Sequence, residues 1–426
     1  MLQVPRIRAD KAAVAAALAK RGWNAERLAV LDEVIKLDDA RKAIQTENDG
    51  YLSERNSLSK EIGQLMKAGK KDDAAAIKAK VETLKTKISE IEAKMSTTSK
   101  SLEELLLDIP NAPHRSVPAG QSEEDNEVAK PWNEALPELG AEALPHWELA
   151  TKYNILDMKL GVKITGAGFP VFRGKGSRLQ RALINFFLDE ATAAGYEEIV
   201  PPLLVNEASA RGTGQLPDKE GQMYYMEKDD LYLIPTAEVP VTNIYRNEIV
   251  KESDFPIKLT GYTPCFRREA GSYGADVKGL NRVHQFDKVE IVQFVHPDNS
   301  YATLDTMVAH VEGLLKKLEL PYRILRLCGG DLGATSALTY DLEVYSAGQK
   351  RWLEVSSVSN FETFQANRLK LRFKDKDGKK QLAHTLNGSA LALARIIAAL
   401  LENNQTPEGI KVPAVLQKYT GFEMID

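Results

Sequence analysis

The sequence predicts an α+β protein in which an N-terminal antiparallel helical hairpin, a coiled-coil arm, precedes a mostly antiparallel β-sheet flanked by helices. Three observations predict this class. Apolar residues recur with heptad spacing before residue 110, a Pro-containing acidic segment follows, and strand-like runs alternate with a few helices thereafter. We therefore divide the chain into an N-terminal domain at 1–110, a linker at 111–135 and a C-terminal domain at 136–426.

The N-terminal domain is predicted to contain two long helices, at 28–66 and 77–105, joined by a polar turn at 68–73. Their seam residues are Val34, Leu37, Ile44, Tyr51, Leu58, Ile62 and Leu65 in the first helix and Ile77, Val81, Leu84, Ile88, Ile91, Met95, Leu102 and Leu105 in the second. A short turn between two heptad helices favours a hairpin that satisfies both seams within one chain. A coiled coil that joins two subunits is the alternative.

Lysines recur along this arm among interspersed acidic residues, at positions 60, 67, 70, 71, 78, 80, 85 and 87. A mildly basic rod suits contact with the backbone and shape of RNA.

The C-terminal domain is predicted to alternate strands with a few helices. The strand-like runs are 198–203, 231–234, 258–266, 283–295, 339–345 and 351–357, and the helical runs are 177–194, 301–318 and 389–403. The last helix follows the turn-forming residues 387–388 and would place Arg395 about two turns from its start. A capped core helix with a surface arginine is the alternative.

The runs 266–274 and 284–290 predict two antiparallel strands joined by a loop that contains Lys278 and Arg282. A period of two places on one face of the hairpin Arg267, Glu269, Phe286, Lys288 and Glu290. An arginine, an aromatic ring and two carboxylates can hold a nucleotide beside a small amine. An ordinary amphipathic hairpin with a solvated face is the alternative.

Composition excludes several classes of protein. The net charge of −4 argues against binding nucleic acid over the whole surface. Two cysteines and six scattered histidines predict neither a disulfide framework nor a zinc site. No apolar run reaches the length of a membrane span or a signal peptide, so the predicted location is the cytoplasm. P-loop and Rossmann glycine motifs do not occur, so a nucleotide must be held by side chains on a sheet.

These runs resemble a known family. The hairpin at 266–290 resembles motif 2 of class II aminoacyl-tRNA synthetases, 387–395 resembles motif 3, and 177–201 resembles motif 1. Among these enzymes the sequence is most similar to bacterial-type seryl-tRNA synthetases, because of IPNAPH (109–114), HWEL (146–149), TGQLP (213–217), TAE (236–238), HQFDKVE (284–290) and EVSSVSN (354–360). Ala390 and Ala394 stand where the family commonly has glycines.

The resemblance implies a ligase that activates L-serine with ATP and transfers it to tRNA(Ser), and also to tRNA(Sec). It implies Arg267 and Arg395 as catalytic residues and Glu354 and Ser357 as ligands of the Mg²⁺ that accompanies ATP. The implied ATP-binding residues are Arg267, Arg268, Glu269, Arg282, Val283, Phe286, Glu354, Val355, Ser356, Ser357 and Arg395. The implied serine-binding residues are Thr236, Ala237, Glu238, Arg267, Glu290, Asn387 and Ser389.

The family resemblance also implies a homodimer formed through 177–201, an arm that grips tRNA, and a catalytic core at 136–426. Two alternative functions are expected to be accompanied by different sequence features. A paralogue that charges another acceptor, such as a carrier protein, is expected to lack the arm. A non-catalytic RNA-binding module is expected to have lost Arg267, Glu269, Glu354 or Arg395, and all four are present.

Overall fold

The computed structural model describes residues 1–140, 142–269 and 278–426. They form two compact units, one of Leu2–Ala19 and Trp23–Pro110 and the other of Met1, Lys20–Gly22 and Asn111–Asp426. Residues 270–274 of the predicted hairpin lie outside the described part of the chain. Within the described part, no helix is both long and apolar enough to cross a membrane.

The first unit is helical throughout. Its helices are α1 (Val4–Ala9), α2 (Lys11–Ala19), α3 (Ala25–Leu28), α4 (Val30–Lys67) and α5 (Lys71–Asp108). The long helices α4 and α5 pack along their lengths, and the predicted seam residues Val34, Ile44, Val81 and Ile88 are buried. The predicted helical hairpin is therefore confirmed.

The base of this hairpin carries a buried carboxylate. Asp38 of α4 is 3% exposed, and it pairs with Arg8 at 2.8 Å, Arg41 at 2.9 Å and Lys42 at 2.9 Å. Burial alone would raise the pKa of Asp38, but hydrogen bonds from the three cations lower it to about 2.

The second unit combines helices with an eight-stranded sheet. Its helices are α6 (His146–Lys152), α7 (Met158–Ile164), α8 (Gly174–Ala193), α9 (Glu207–Thr213), α10 (Glu238–Asn243), α11 (Ser300–Lys317), α12 (Thr363–Leu369), α13 (Leu393–Asn403) and α14 (Ala414–Thr420). Its strands are β1 (Glu127–Lys130), β2 (Leu156–Asp157), β3 (Val171–Phe172), β4 (Glu197–Glu198), β5 (Leu204–Val205), β6 (Tyr225–Met226), β7 (Leu231–Leu233), β8 (Ile249–Lys251), β9 (Ile257–Phe266), β10 (Gln285–Val295), β11 (Tyr322–Arg326), β12 (Leu338–Ser346), β13 (Arg351–Asn360), β14 (Arg372–Lys374), β15 (Lys380–Leu382), β16 (His384–Ala392), β17 (Ile410–Lys411) and β18 (Met424–Ile425).

The large sheet has the order β1-β11-β12-β13-β16-β10-β9-β4. Its pairs are antiparallel apart from β4 with β9, which confirms the predicted mostly antiparallel sheet. On β10, Val289 and Ile291 pack into the main core, and the intervening residues point to the opposite face. The segment expected as a linker contributes the edge strand β1, which pairs with β11.

The sequence prediction for 389–403 was wrong in its first part. The chain remains in β16 through Ala392, and α13 begins only at Leu393, so Arg395 lies in the first helical turn. Pairing of Ser389 with Glu290 on β10 places this segment in the middle of the sheet, and that pairing outweighs the helix propensity of its alanine and leucine residues.

Gly388 was predicted to form a turn, but it lies within the strand β16. It lies opposite Val358 of β13, and a Cβ atom at this position would lie 3.1 Å from both Val358 Cγ atoms. The glycine therefore permits close packing within the sheet. The predicted strand 198–203 is also shorter than expected, since only Glu197–Glu198 pairs with β9 there.

Candidate active site

A cavity of about 200 Å³ lies on the face of the sheet formed by β10, β13 and β16. Ten of the residues predicted from the sequence line it: Arg267, Glu269, Arg282, Val283, Phe286, Glu354, Val355, Ser356, Ser389 and Arg395. Residues from three separate regions of the sequence thus meet at one cavity, which we call the nucleotide cavity.

Arg267 lies directly after the end of β9, and its position is fixed by two contacts. Its Nε donates to the carbonyl oxygen of Pro235 at 3.3 Å, and its guanidinium lies 5.3 Å from the centroid of the Phe286 ring. Glu269 follows with a φ of 48°, and its Oε2 lies 3.4 Å from Arg282 Nη1. An arginine beside an aromatic ring can bind a phosphate next to a planar base.

Arg268, which the resemblance implies as an ATP-binding residue, makes contacts outside the lining of the nucleotide cavity. Its Nε donates to the carbonyl oxygen of Met223 at 3.0 Å, and its guanidinium lies 4.9 Å from the centroid of the Tyr224 ring. In this structure Arg267 lines the nucleotide cavity and Arg268 does not.

Arg395 reaches the cavity from the first turn of α13. Its Nε donates to the carbonyl oxygen of Asn281 at 3.0 Å, and its Nη1 donates to the carbonyl oxygen of Glu354 at 2.8 Å. Nη1 also lies 3.7 Å from Glu354 Oε2. These bonds join α13 to β13 and to the segment that precedes β10.

A buried cluster of charged and polar side chains adjoins the nucleotide cavity, with Glu290 at its centre. Glu290 Oε2 lies 2.7 Å from Lys288 Nζ, 3.4 Å from Thr236 Oγ1 and 3.5 Å from Ser389 Oγ. All four side chains are buried. The family motifs do not identify Lys288 as a ligand. Its position on the same strand face as Phe286 and Glu290 is the sequence signal that indicates a role in the site.

Glu238 is a second buried carboxyl beside this cluster. Its Oε1 accepts a hydrogen bond from Gln365 at 2.6 Å. Burial and the charge of Glu290 raise the pKa of Glu238 to about 7, against the opposing effects of Gln365, Lys288 and Asn387. A carboxyl in this environment is poised to gain a cationic partner. The methyl group of Ala237 packs in a hydrophobic core that includes Val241 and Leu259, so the predicted contact of Ala237 with serine would have to come from its backbone.

A larger cavity, of about 750 Å³, shares Asn281, Arg282, Glu354 and Arg395 with the nucleotide cavity, and Ser357 and Asp341 line it as well. Asp341 lies opposite Ser357 in the register of β12 and β13. Its Oδ1 is buried and finds no hydrogen-bond partner among the described residues. Burial and the charge of Glu354 raise the pKa of Asp341.

The hard oxygen donors of Glu354 and Ser357 suit Mg²⁺. The described ranges contain no group of three or more His, Cys, Asp or Glu residues able to hold a metal by themselves. A cation at Glu354 and Ser357 would therefore need further oxygen ligands, which a nucleotide phosphate could supply.

Comparisons with known proteins agree with this arrangement. Residues 1–113 match the model of the seryl-tRNA synthetase N-terminal domain, and 223–404 match the class II tRNA synthetase core domain (G, H, P, S and T). The serine–tRNA ligase of Salinibacter ruber is 50% identical over 100% of this chain and 99% of its own length. The chain belongs to the serine–tRNA ligase family. A second member, from Chloroherpeton thalassium, is 47% identical over the full length of both chains.

Solved structures of the family have the same fold. Seryl-tRNA synthetase from Pyrococcus horikoshii, complexed with ATP, gives a TM-score of 0.90 at 35% identity over 100% of this chain and 99% of its own. The cytoplasmic serine–tRNA ligase from Naegleria fowleri, in complex with AMP, gives 0.85 at 26% identity over 100% of this chain and 99% of its own. The resemblance and the fold class predicted from the sequence are thereby confirmed.

Proposed function

We propose that this protein is a serine–tRNA ligase, which uses ATP to form seryl-adenylate and then transfers serine to the 3′ end of tRNA(Ser). One observation carries the proposal. The nucleotide cavity, with Arg267 and Arg395 in its lining, directly adjoins the buried cluster of Glu290, Lys288 and Ser389. A nucleotide phosphate and a small amino acid would therefore meet beside Arg267.

In the first step, an oxygen of the serine carboxylate attacks the α-phosphorus of ATP, and the bond to the leaving pyrophosphate breaks. No protein nucleophile is needed, so positioning and charge stabilisation supply the rate. Arg267 and Arg395 are the proposed catalytic residues. The planar fork of donors on Arg267 can bridge the carboxylate and the α-phosphate while charge builds between them.

The remaining nucleotide contacts follow from the cavity lining. Phe286 and Arg395 are proposed to stack on the two faces of adenine, and Glu269 is proposed to accept from its amino group. Val283 would offer backbone contact, and Arg282 and Arg395 would neutralise the outer phosphates. Glu354 and Ser357 would hold Mg²⁺, which supplies positive charge along the phosphates when bound.

The buried cluster explains the choice of serine. Thr236 and Glu238 are proposed to hold the α-ammonium group, while Glu290 and Ser389 bind the side-chain hydroxyl, with Asn387 lining the pocket. Alanine would leave these desolvated groups unpaired, so the site should discriminate strongly against it. Threonine must be excluded by lack of room for its methyl group.

For tRNA, the arm formed by α4 and α5 is the proposed binding element. The eight lysines at 60, 67, 70, 71, 78, 80, 85 and 87 are all exposed along it, as phosphate contacts require. We include tRNA(Sec) as a second acceptor, which charging of the two transcripts side by side would test.

A homodimer formed around 177–201 is also part of the proposal. Its support is the exposure of apolar side chains at Val200, Leu203 and Leu204, because exposed apolar patches commonly mark interfaces. The proposed location is the cytoplasm, a reducing compartment, which suits the two free, buried cysteines.

Exchange of labelled pyrophosphate into ATP, measured with each of the twenty amino acids, tests the first step. Serine should support exchange at a kcat/KM at least about a hundredfold above that of alanine, since rejection of the analogue that lacks a bonded hydroxyl is strong. Threonine should also support little exchange, because the pocket has no room for its methyl group. Exchange that is absent with serine, or equal with alanine, would contradict the proposal.

A further inference from the structure

A buried hydrogen-bonded pair lies behind the nucleotide cavity. His146, the first residue of α6, and Glu402, near the end of α13, are both fully buried. Glu402 Oε1 accepts from the His146 backbone N–H at 2.9 Å and lies 2.7 Å from His146 Nδ1. Burial opposes ionisation of Glu402, but hydrogen bonds from His146 and Ser346 outweigh it and lower its pKa. The pair is therefore an ionised carboxylate bound to an imidazole.

The second ring nitrogen of His146 holds backbone that lines the cavity. Leu280 donates its N–H to His146 Nε2 at 2.9 Å. Nε2 must therefore be the unprotonated nitrogen, and Nδ1 carries the proton that is donated to Glu402. Leu280 and its neighbour Asn281 both line the nucleotide cavity, so the ring connects the core helix α13 to the wall of that cavity.

The same network reaches Arg395. Gln349 donates to Glu402 Oε1 at 3.2 Å and accepts from Asn281 Nδ2 at 2.8 Å. The carbonyl oxygen of Asn281 in turn accepts from Arg395 Nε at 3.0 Å. Glu402 is thus linked to a proposed adenine ligand through Gln349 and Asn281, in addition to its link through His146.

Gly279 shows how closely the segment and the ring approach each other. Its φ is +62°, and a Cβ atom there would lie 2.2 Å from His146 Nε2. A side chain at this position would strain the backbone and displace the imidazole. The position of the backbone at 278–283 therefore depends on the position of the His146 ring.

We propose that His146, supported by Glu402, is a positioning residue for the ATP-dependent step. It holds the segment 278–283 where Arg282 and Val283 contact ATP. The inference rests on the proposed function. Apart from Arg267, the proposed ligands of serine lie instead on β10 and β16 and at 236–238, and among the described residues no hydrogen bond joins these ligands to the network. Loss of the network should weaken ATP binding and leave serine binding unchanged.

Two substitutions of His146 test the contributions of its two ring nitrogens separately. In His146→Asn an amide nitrogen can still donate to Glu402, but no atom reaches Leu280. In His146→Gln the longer side chain can place its oxygen where Nε2 stood and accept from Leu280. We expect the apparent KM for ATP to rise about tenfold in H146N, as for loss of one buried hydrogen bond. In H146Q it should rise less than about threefold, and the KM for serine should stay within about twofold in both.

A matched control distinguishes positioning from general destabilisation. Gln293→Ala removes the 2.6 Å hydrogen bond between Gln293 and the Tyr196 hydroxyl, which is buried and not part of the cavity lining. It should lower the melting temperature without changing the KM for ATP. Gly279→Ala, which displaces the ring without altering it, should reproduce the ATP-selective defect and serves as a second variant if H146N does not fold.

Equal defects in H146N and H146Q, a parallel rise in the KM for serine, or an ATP defect in Q293A would overturn the inference. These outcomes count against the inference only if the wild-type enzyme is active in serine-dependent exchange. Wild-type protein without that exchange would instead overturn the proposed function, so the two failures are distinguishable.

Discussion

Replacing Glu238 with glutamine should make the free protein more stable and its use of serine worse. The folded protein raises the pKa of this carboxyl from 4.5 to about 7. At pH 5 the buried group is protonated and neutral. At pH 8 it must carry its charge in a desolvated site, so folding stability falls as pH rises between the two pKa values.

The size of the destabilisation follows from the shift in the pKa of Glu238. About 2.5 pKa units correspond to roughly 3 kcal/mol of destabilisation at pH 8 and less than about 1 kcal/mol at pH 5. Glutamine keeps the oxygen that accepts from Gln365 at 2.6 Å and removes the charge. The gain in unfolding free energy of Glu238→Gln should therefore be about 2 kcal/mol larger at pH 8 than at pH 5.

The functional cost should appear in serine binding. A lost charge-assisted hydrogen bond to the α-ammonium group should raise the KM for serine roughly 10- to 100-fold and leave the KM for ATP within about threefold. In the wild type, the KM for serine should rise as pH falls below about 7, since a proton then competes with the ammonium group. Urea titrations at the two pH values and pyrophosphate exchange measure both effects. A variant that is less stable at pH 8, or an unchanged KM for serine, would refute the reasoning.

Four further perturbations test other parts of the molecule. Arg267→Ala should lower the exchange rate by several hundredfold or more, about 3–5 kcal/mol in the transition state, with an unchanged circular dichroism spectrum; activity within tenfold of wild type would exclude a catalytic role. Glu290→Ala should raise the KM for serine far more than that for ATP, and the reverse pattern would move Glu290 to the nucleotide site. Asp38→Asn should cost about 1–2 kcal/mol of stability at pH 7 and less than about 0.5 kcal/mol at pH 2, because the folded pKa of about 2 lies below the usual 3.8 and the stabilisation is lost as pH falls from about 4 through 2; equal losses at both pH values would contradict the ion-pair explanation. Replacing 28–105 with a short linker should preserve seryl-adenylate formation and reduce transfer to tRNA sharply; unchanged charging would remove the arm's role, and a monomeric product would favour a coiled coil that joins subunits.

Sequence patterns predicted those parts of the fold that depend on local periodicity. The seam residues of the arm recur at heptad spacing, so α4 was predictable to within two residues at each end. Helix α5 begins six residues before the predicted start, inside the predicted turn, and ends three residues after the predicted end. The face that carries Phe286 and Glu290 follows from the period of two along β10. The motifs also indicated most of the nucleotide cavity, because the ligands within each run are neighbours in sequence.

The remaining features depend on contacts between distant residues. Ser389 to Ala392 have the composition of a helix start, but their pairing with β10 makes them part of a strand. Arg268 looks equivalent to Arg267 until the end of β9 fixes which side chain faces the cavity. His146 and Glu402 are 256 positions apart, so no local pattern could associate them, although HWEL stood out as a family motif.

Attachment of labelled serine to a tRNA(Ser) transcript, by the purified full-length protein with ATP, tests most directly whether this protein both activates serine and joins it to tRNA. The label should become acid-precipitable only with ATP present, and periodate oxidation of the 3′-terminal ribose should abolish it. Label on oxidised tRNA, or no label on intact tRNA despite active serine-dependent exchange, would contradict the account.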